Sequence, residues 1–162
     1  MYVVEEQKKI FIEEVSRLHA RCELAKTVGP DYYEPGMMEY LEQYDGFQEE
    51  DPHLWTLRFE VKGTRYEGRT EQIEYSRLGD PIQILRESEN PYNYNNFTFL
   101  TRNGRNVGNM PAELCNAIAP LYDNQHLFFR DAHISFVEPI SKCSRYAKQA
   151  ILFIEMKIQL LV

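Results

Sequence analysis

Long apolar runs are missing from this sequence. No stretch approaches the roughly 20 apolar residues that a membrane helix requires, and the first residues, MYVVEEQKK, have neither the basic start nor the apolar middle of a secretory signal. A cytoplasmic protein without a membrane partner is the expectation. Cysteine is scarce as well: Cys22, Cys115 and Cys143 are odd in number, far apart and without Cys-x-x-Cys spacing. That pattern suggests neither a disulfide framework nor a zinc site, and it reads as reduced, mostly buried thiols. Basic residues are in deficit, 18 Lys and Arg against 25 Asp and Glu, for a net charge of −7. Such a balance argues against an electrostatic grip on nucleic acid by the surface as a whole, because phosphate neutralisation needs clustered cations.

The charge that is present is unevenly spread. Up to residue 52, five basic side chains (Lys8, Lys9, Arg17, Arg21, Lys26) stand against thirteen acidic ones, whereas residues 53–162 carry thirteen basic and twelve acidic groups. The negative excess therefore belongs to the first third of the chain. With 162 residues, 43% of them hydrophobic, the sequence can bury one ordinary core and an appendage, not two large domains.

From Val3 to about Lys26, apolar residues recur at helical spacing: Val4, Ile10, Phe11, Val15, Leu18, Cys22 and Ala25 mark one face of an amphipathic helix. Pro30, Pro35 and Gly36 in VGPDYYEPG end it. A shorter helix is expected over GMMEYLEQYDG, where Met38, Leu41 and Tyr44 repeat, and QEEDPH reads as a linker. Beyond it the period changes to two. Trp55, Leu57, Phe59 and Val61 alternate as on a half-buried strand. PIQILRE, NFTFLTR and RNVGNM follow as strands, the last two joined by the hairpin dipeptide Asn103-Gly104. PAELCNAIAPLYD is a helix with Pro111 in its first turn, which Pro120 should end or kink. LFFRDAHISFVEP and AILFIEMKIQLLV close the list of strands. The fold class expected is mainly β with α: a small antiparallel β-barrel over 53–162 with one inserted helix, preceded by an acidic helical segment over 1–52.

Two loops concentrate recognition chemistry. KGTRYEG, at the end of the first strand, brings Gly63 and Gly68 for close backbone approach, the planar cation of Arg65 and the ring of Tyr66. NPYNYNNF, residues 90–97, packs tyrosines and asparagines between two strands. A turn needs only one or two Asn, Pro or Gly. Amides read base edges or satisfy phosphate oxygens, and tyrosines stack on bases, each worth about 1–3 kcal/mol.

Taken together, GTRYEG, then PIQILRESENPYNYNNF, then VGNMP before a helix, resemble the HIRAN domain family over about residues 55–138. This family is found as a module of helicase-like chromatin and fork remodellers and as a stand-alone domain in bacteria. Its pattern is an aromatic loop after the first strand, Asn-Pro-Tyr-Asp-x-Asn-Ala, a hairpin, and Val-Gly-x-x-Pro before a helix. The resemblance implies an OB-like barrel that binds single-stranded DNA, in some members at a 3′ end, without cofactor, metal or catalytic residues, and beside a helicase or nuclease in DNA repair or remodelling. Carried over by residue, Arg65 and Tyr66 fall on a pair that contacts phosphate and base, and Asn90 and Tyr92 on the Asn and the stacking Tyr of Asn-Pro-Tyr. Asn93 stands where the family has an aspartate that accepts a bond from a terminal sugar hydroxyl. The asparagine keeps an acceptor and loses the charge, so strand-end recognition is weakened. The absence of a cation in NMPA, residues 109–112, points the same way.

Other classes rest on less. The acidic segment could bind a basic partner or cover the barrel's own groove, which would make the chain a protein-interaction or regulatory module. His126, Asp131 and His133 match no common metal-ligand spacing. Asp80 with Glu155 and Lys157 has the order of a magnesium nuclease, but Glu155 and Lys157 share one strand face, where a cross-strand charge pair is the simpler account.

Overall fold

Four residues spaced four, three and four apart, Phe11, Val15, Leu18 and Cys22, form one stripe along the first helix, and all four are buried. The computed structural model of the chain describes residues 2–28, 41–66, 68–140 and 150–161. Helix α1 (Tyr2–Val28) lays this stripe on strand β1 (Asp45–Gln48) and on a later helix. Phe11 meets Trp55 edge to face, with ring centroids 5.9 Å apart. Ile10, expected on the buried face, is exposed, being turned a full residue away from the stripe. Of the second helix expected over 36–46, residues 36–40 lie outside the described residues. Its last two positions, Asp45 and Gly46, belong to β1.

β1 pairs antiparallel with β2 (Leu54–Glu60), so the stretch read as a linker is the turn of a hairpin. The division expected at residue 52 falls inside that turn. Trp55, Leu57, Phe59 and Val61 are all buried, as their alternation predicts. A short helix, α2 (Arg69–Glu74), follows, then β3 (Gln83–Glu87), β4 (Asn96–Leu100), β5 (Asn106–Asn109), α3 (Ala112–Asp123), β6 (Leu127–Glu138) and β7 (Ile151–Leu160). Helix α3 continues through Pro120 to Asp123. Proline removes one hydrogen bond in the last turn, and full burial of Leu121 just beyond it offsets that loss.

The strands form two antiparallel sheets, β1-β2-β7-β6 and β3-β4-β5. Two short seams join them. At one, Lys62 and Asn109 exchange backbone bonds of 2.9 and 2.8 Å; at the other, Ile82 donates to Ala132 at 3.0 Å and Ile134 to Asp80 at 2.9 Å. The OB-like wall is thus two sheets stitched at two corners, with an inserted helix. Phe59 of one sheet faces Phe99 of the other at 5.8 Å, and Phe97, Tyr122 and Phe129 pack α3 between β4 and β6.

Cys22 and Cys115 are buried free thiols, and burial pushes the Cys115 thiol up to about 11. Cys143 lies outside the described residues. No described helix is long and apolar enough to cross a membrane.

Candidate nucleic-acid interface

The register alone places both recognition loops at one end of the β3-β4-β5 sheet. Glu87, the last residue of β3, pairs with Asn96, the first of β4; Thr98 pairs with Asn109, the last of β5; and Asn109 bridges to Lys62, just past β2. The loop after β2 and the loop between β3 and β4 therefore start from neighbouring positions.

A polar ladder links their bases. Glu87 Oε1 accepts from Asn96 Nδ2 at 2.7 Å and from the Thr98 hydroxyl, which also lies 3.0 Å from Asn109 Oδ1. Asn96 and Thr98 are buried, so these polar groups satisfy one another. The approach of the strands at this point is close. A Cβ on Gly108 would sit 2.3 Å from Val61 Cγ1 and 2.6 Å from the Lys62 carbonyl oxygen, at a φ of 146°. That contact gives the Val-Gly-x-x-Pro motif its physical reason: only glycine lets β5 reach the end of β2.

The first loop is held from beneath. The buried Thr64 hydroxyl donates to the Ala150 carbonyl at 2.9 Å, and Thr70 donates to the Thr64 carbonyl at 2.9 Å. Arg69, also buried, donates from Nη1 to the Gly63 carbonyl at 3.0 Å. With its backbone fixed, the loop turns Arg65 and Tyr66 outward. Arg65 Cζ lies 4.8 Å from the Tyr66 ring centroid and Nη2 donates to the phenol oxygen at 2.6 Å. A cation and a ring half open to solvent thus form one unit.

The second loop folds on itself. Asn90 Oδ1 accepts from the backbone N–H of Tyr92 at 2.9 Å and of Asn93 at 3.2 Å, and Asn93 Oδ1 accepts from Asn95 N–H at 2.9 Å. These are Asx turns, in which the side-chain carbonyl sets the backbone. The Asn90 carbonyl is thereby filled, the Asn93 carbonyl keeps a second lone pair, and each amide keeps its N–H donors. Tyr92 is 96% exposed, so the turns hold a ring in open solvent. Tyr94 beside it, which the sequence reading left out of the site, is 72% exposed.

The weaker candidates are engaged elsewhere. Glu155 lies between Arg58 Nε at 3.0 Å and His133 Nε2 at 3.4 Å, and Lys157 faces Glu49 at 3.3 Å. Asp80 accepts from the Arg77 N–H at 2.8 Å. Among the described residues no group of three or more potential ligands is placed to hold a metal ion.

Residues 54–153 match the family model described as HIRAN domain. The chain is similar in structure to a protein from Lactobacillus plantarum, with 17% identity, a TM-score of 0.50, and 63% of this chain and 91% of that one covered. It also matches the crystal structure of the HIRAN domain of human HLTF, at 21% identity and TM-score 0.49 over 65% and 76% of the two chains. A further match is the NMR structure of the HLTF HIRAN domain in its DNA-bound conformation, at 25% identity and TM-score 0.40 over 65% and 75% of the two chains. No curated protein matches the chain.

Proposed function

The chain belongs to the HIRAN domain family, and from that premise we propose that it is a non-catalytic DNA-binding module that grips a single strand between its two loops. One observation carries the reading: two tyrosines, Tyr66 and Tyr92, stand exposed on separate loops that spring from the same end of one sheet. Exposed rings held by a fixed backbone suit base stacking, which tolerates any sequence because every base offers a π-face. Arg65 supplies the cation for a phosphate, and the amides of Asn90 and Asn93 supply donors. Helix α1 carries none of the acidic excess of residues 1–52, its five basic and five acidic side chains balancing, and it packs on β1, β2 and α3. Its apolar stripe is spent on the core.

The test is fluorescence anisotropy with a short labelled single strand at low and moderate salt. Wild type is expected to bind, more weakly as salt rises. A Tyr66→Ala/Tyr92→Ala double variant is expected to lose at least about thirtyfold in affinity, the loss of two stacking platforms. Equal binding by the two proteins would show that the loops are not the grip.

A further inference from the structure

One cation near the second loop is largely withdrawn from solvent and was not marked by the sequence as part of the site. Arg86, in β3, continues the inward stripe of Ile82 and Ile84, and its side chain is only 13% exposed. On one edge its guanidinium forms a fork with Asp123, Nε to Oδ1 at 3.0 Å and Nη2 to Oδ2 at 2.9 Å. On the other edge Nη1 donates to the carbonyls of Tyr94 at 2.8 Å and Asn96 at 3.3 Å, the end of the second loop. Its Cζ lies 5.3 Å from the Phe97 ring centroid.

We propose that Arg86 is the positioning residue of this interface: it ties the end of the 88–95 loop to the C-terminus of α3 and so fixes where Tyr92 is presented. The proposal rests on the reading of that loop as a DNA grip. Only a planar guanidinium can hold a carboxylate bidentately while its other edge serves two carbonyls, so lysine cannot replace it. The site favours a cation twice over, through Asp123 and through the negative end of the helix macrodipole. A second tether runs beside the first: Asn95 Nδ2 donates to Asn116 Oδ1 at 3.1 Å, about two helical turns before Asp123 on the same face of α3. Because Arg86 is paired and largely buried, it has no charge to offer a phosphate. It acts by ordering the loop before the strand arrives, so that binding does not bear that cost.

Three variants test this, Arg86→Gln, Arg86→Lys and Arg65→Gln, each read by hydrogen exchange without DNA, by thermal unfolding, and by strand affinity across a salt series. For Arg86→Gln we expect exchange at the amides of Tyr92, Asn93 and Asn95 to quicken about tenfold, a roughly tenfold weaker affinity, and an unchanged salt slope. Arg86→Lys should fall between it and wild type. Arg65→Gln should leave exchange alone and lower the salt slope by about 0.7, the loss of one phosphate contact on a single strand. The proposal is overturned by unchanged loop exchange in Arg86→Gln, by a salt slope that falls as in Arg65→Gln, or by an affinity loss no larger than the unfolded fraction explains. Wild type binding no strand would instead overturn the reading of the loop as a grip, while the exchange data decide the tether separately.

Discussion

The loop after β2 is held by groups beneath it, whereas the loop between β3 and β4 is held largely by its own side chains. Thr64 reaches from the first loop to the Ala150 carbonyl, and the buried Arg69 of α2 reaches the Gly63 carbonyl within the loop. In the second, Asn90 and Asn93 close turns within the loop, and among the described residues Arg86 and Asn95 tie it to its surroundings. Two aromatic groups that rise from one end of a sheet are thus coupled unequally to the fold. Damage to the first loop should register as lost stability, and damage to the second as lost binding.

The largest effect should come from the seam that seats the first loop. Gly108→Ala places a methyl group against Val61 and the Lys62 backbone, neither of which is the free end of a flexible chain. The substitution is expected to destabilise the protein by about 3 kcal/mol or more, measured by urea unfolding. A loss below about 1 kcal/mol would mean that the strands separate easily there, and that the first loop is not coupled to the core as described.

How much of this contrast could be read from the sequence depends on how far each feature reaches along the chain. The alternation of Trp55, Leu57, Phe59 and Val61 is local, and it marks β2 as buried. β1 carries no such pattern: four residues with a buried glycine and one partly buried ring read as the end of a helix and the start of a linker until β2 pairs with them. Helix α2 is six residues long and buries Arg69 and Ile73, too few for a period of 3.6 to appear. The motifs mark the outward residues of the proposed interface, Arg65, Tyr66, Asn90 and Tyr92. The ladder of Glu87, Asn96, Thr98 and Asn109 was not legible, because it exists only once three strands are in register. Arg86 was missed for a related reason: a charged residue in a strand reads as solvated until Asp123, 37 positions later, is brought beside it.

A paired substitution sharpens the comparison at smaller magnitude. Thr64→Val keeps the shape of a buried side chain and removes its hydroxyl, leaving the Ala150 carbonyl without that donor. It should cost about 1–2 kcal/mol of stability and change strand affinity by less than about twofold among folded molecules. Asn90→Ala removes the acceptor for two backbone N–H groups, one exposed and one partly buried, which water can satisfy. Its stability cost should stay within about 0.5 kcal/mol, while affinity falls about threefold to fivefold as the Tyr92 loop loses its order. The reverse pattern, with binding lost in the first variant and stability in the second, would dissolve the distinction between the loops.

The smallest effect concerns what kind of strand the second loop accepts. Asn93 Oδ1 already accepts from Asn95 N–H at 2.9 Å, and an aspartate at this position retains that oxygen, so Asn93→Asp should leave the turn and the stability unchanged. What it adds is a negative charge about a side chain's length from Tyr92. Toward an internal stretch of strand that charge repels phosphate, and affinity should fall by about a factor of two at low salt. Toward a free 3′ hydroxyl it provides a charged acceptor, about twice as strong as a neutral one, and affinity should rise by a similar factor. The comparison is therefore made with two oligonucleotides of one sequence, ending in a 3′ hydroxyl or a 3′ phosphate. A preference for the hydroxyl that grows in Asn93→Asp would mean that the loop sits at the strand's terminus and that the native asparagine mutes recognition of it. Equal weakening toward both oligonucleotides would place the loop along the body of the strand, where the uncharged amide is the better neighbour for phosphate.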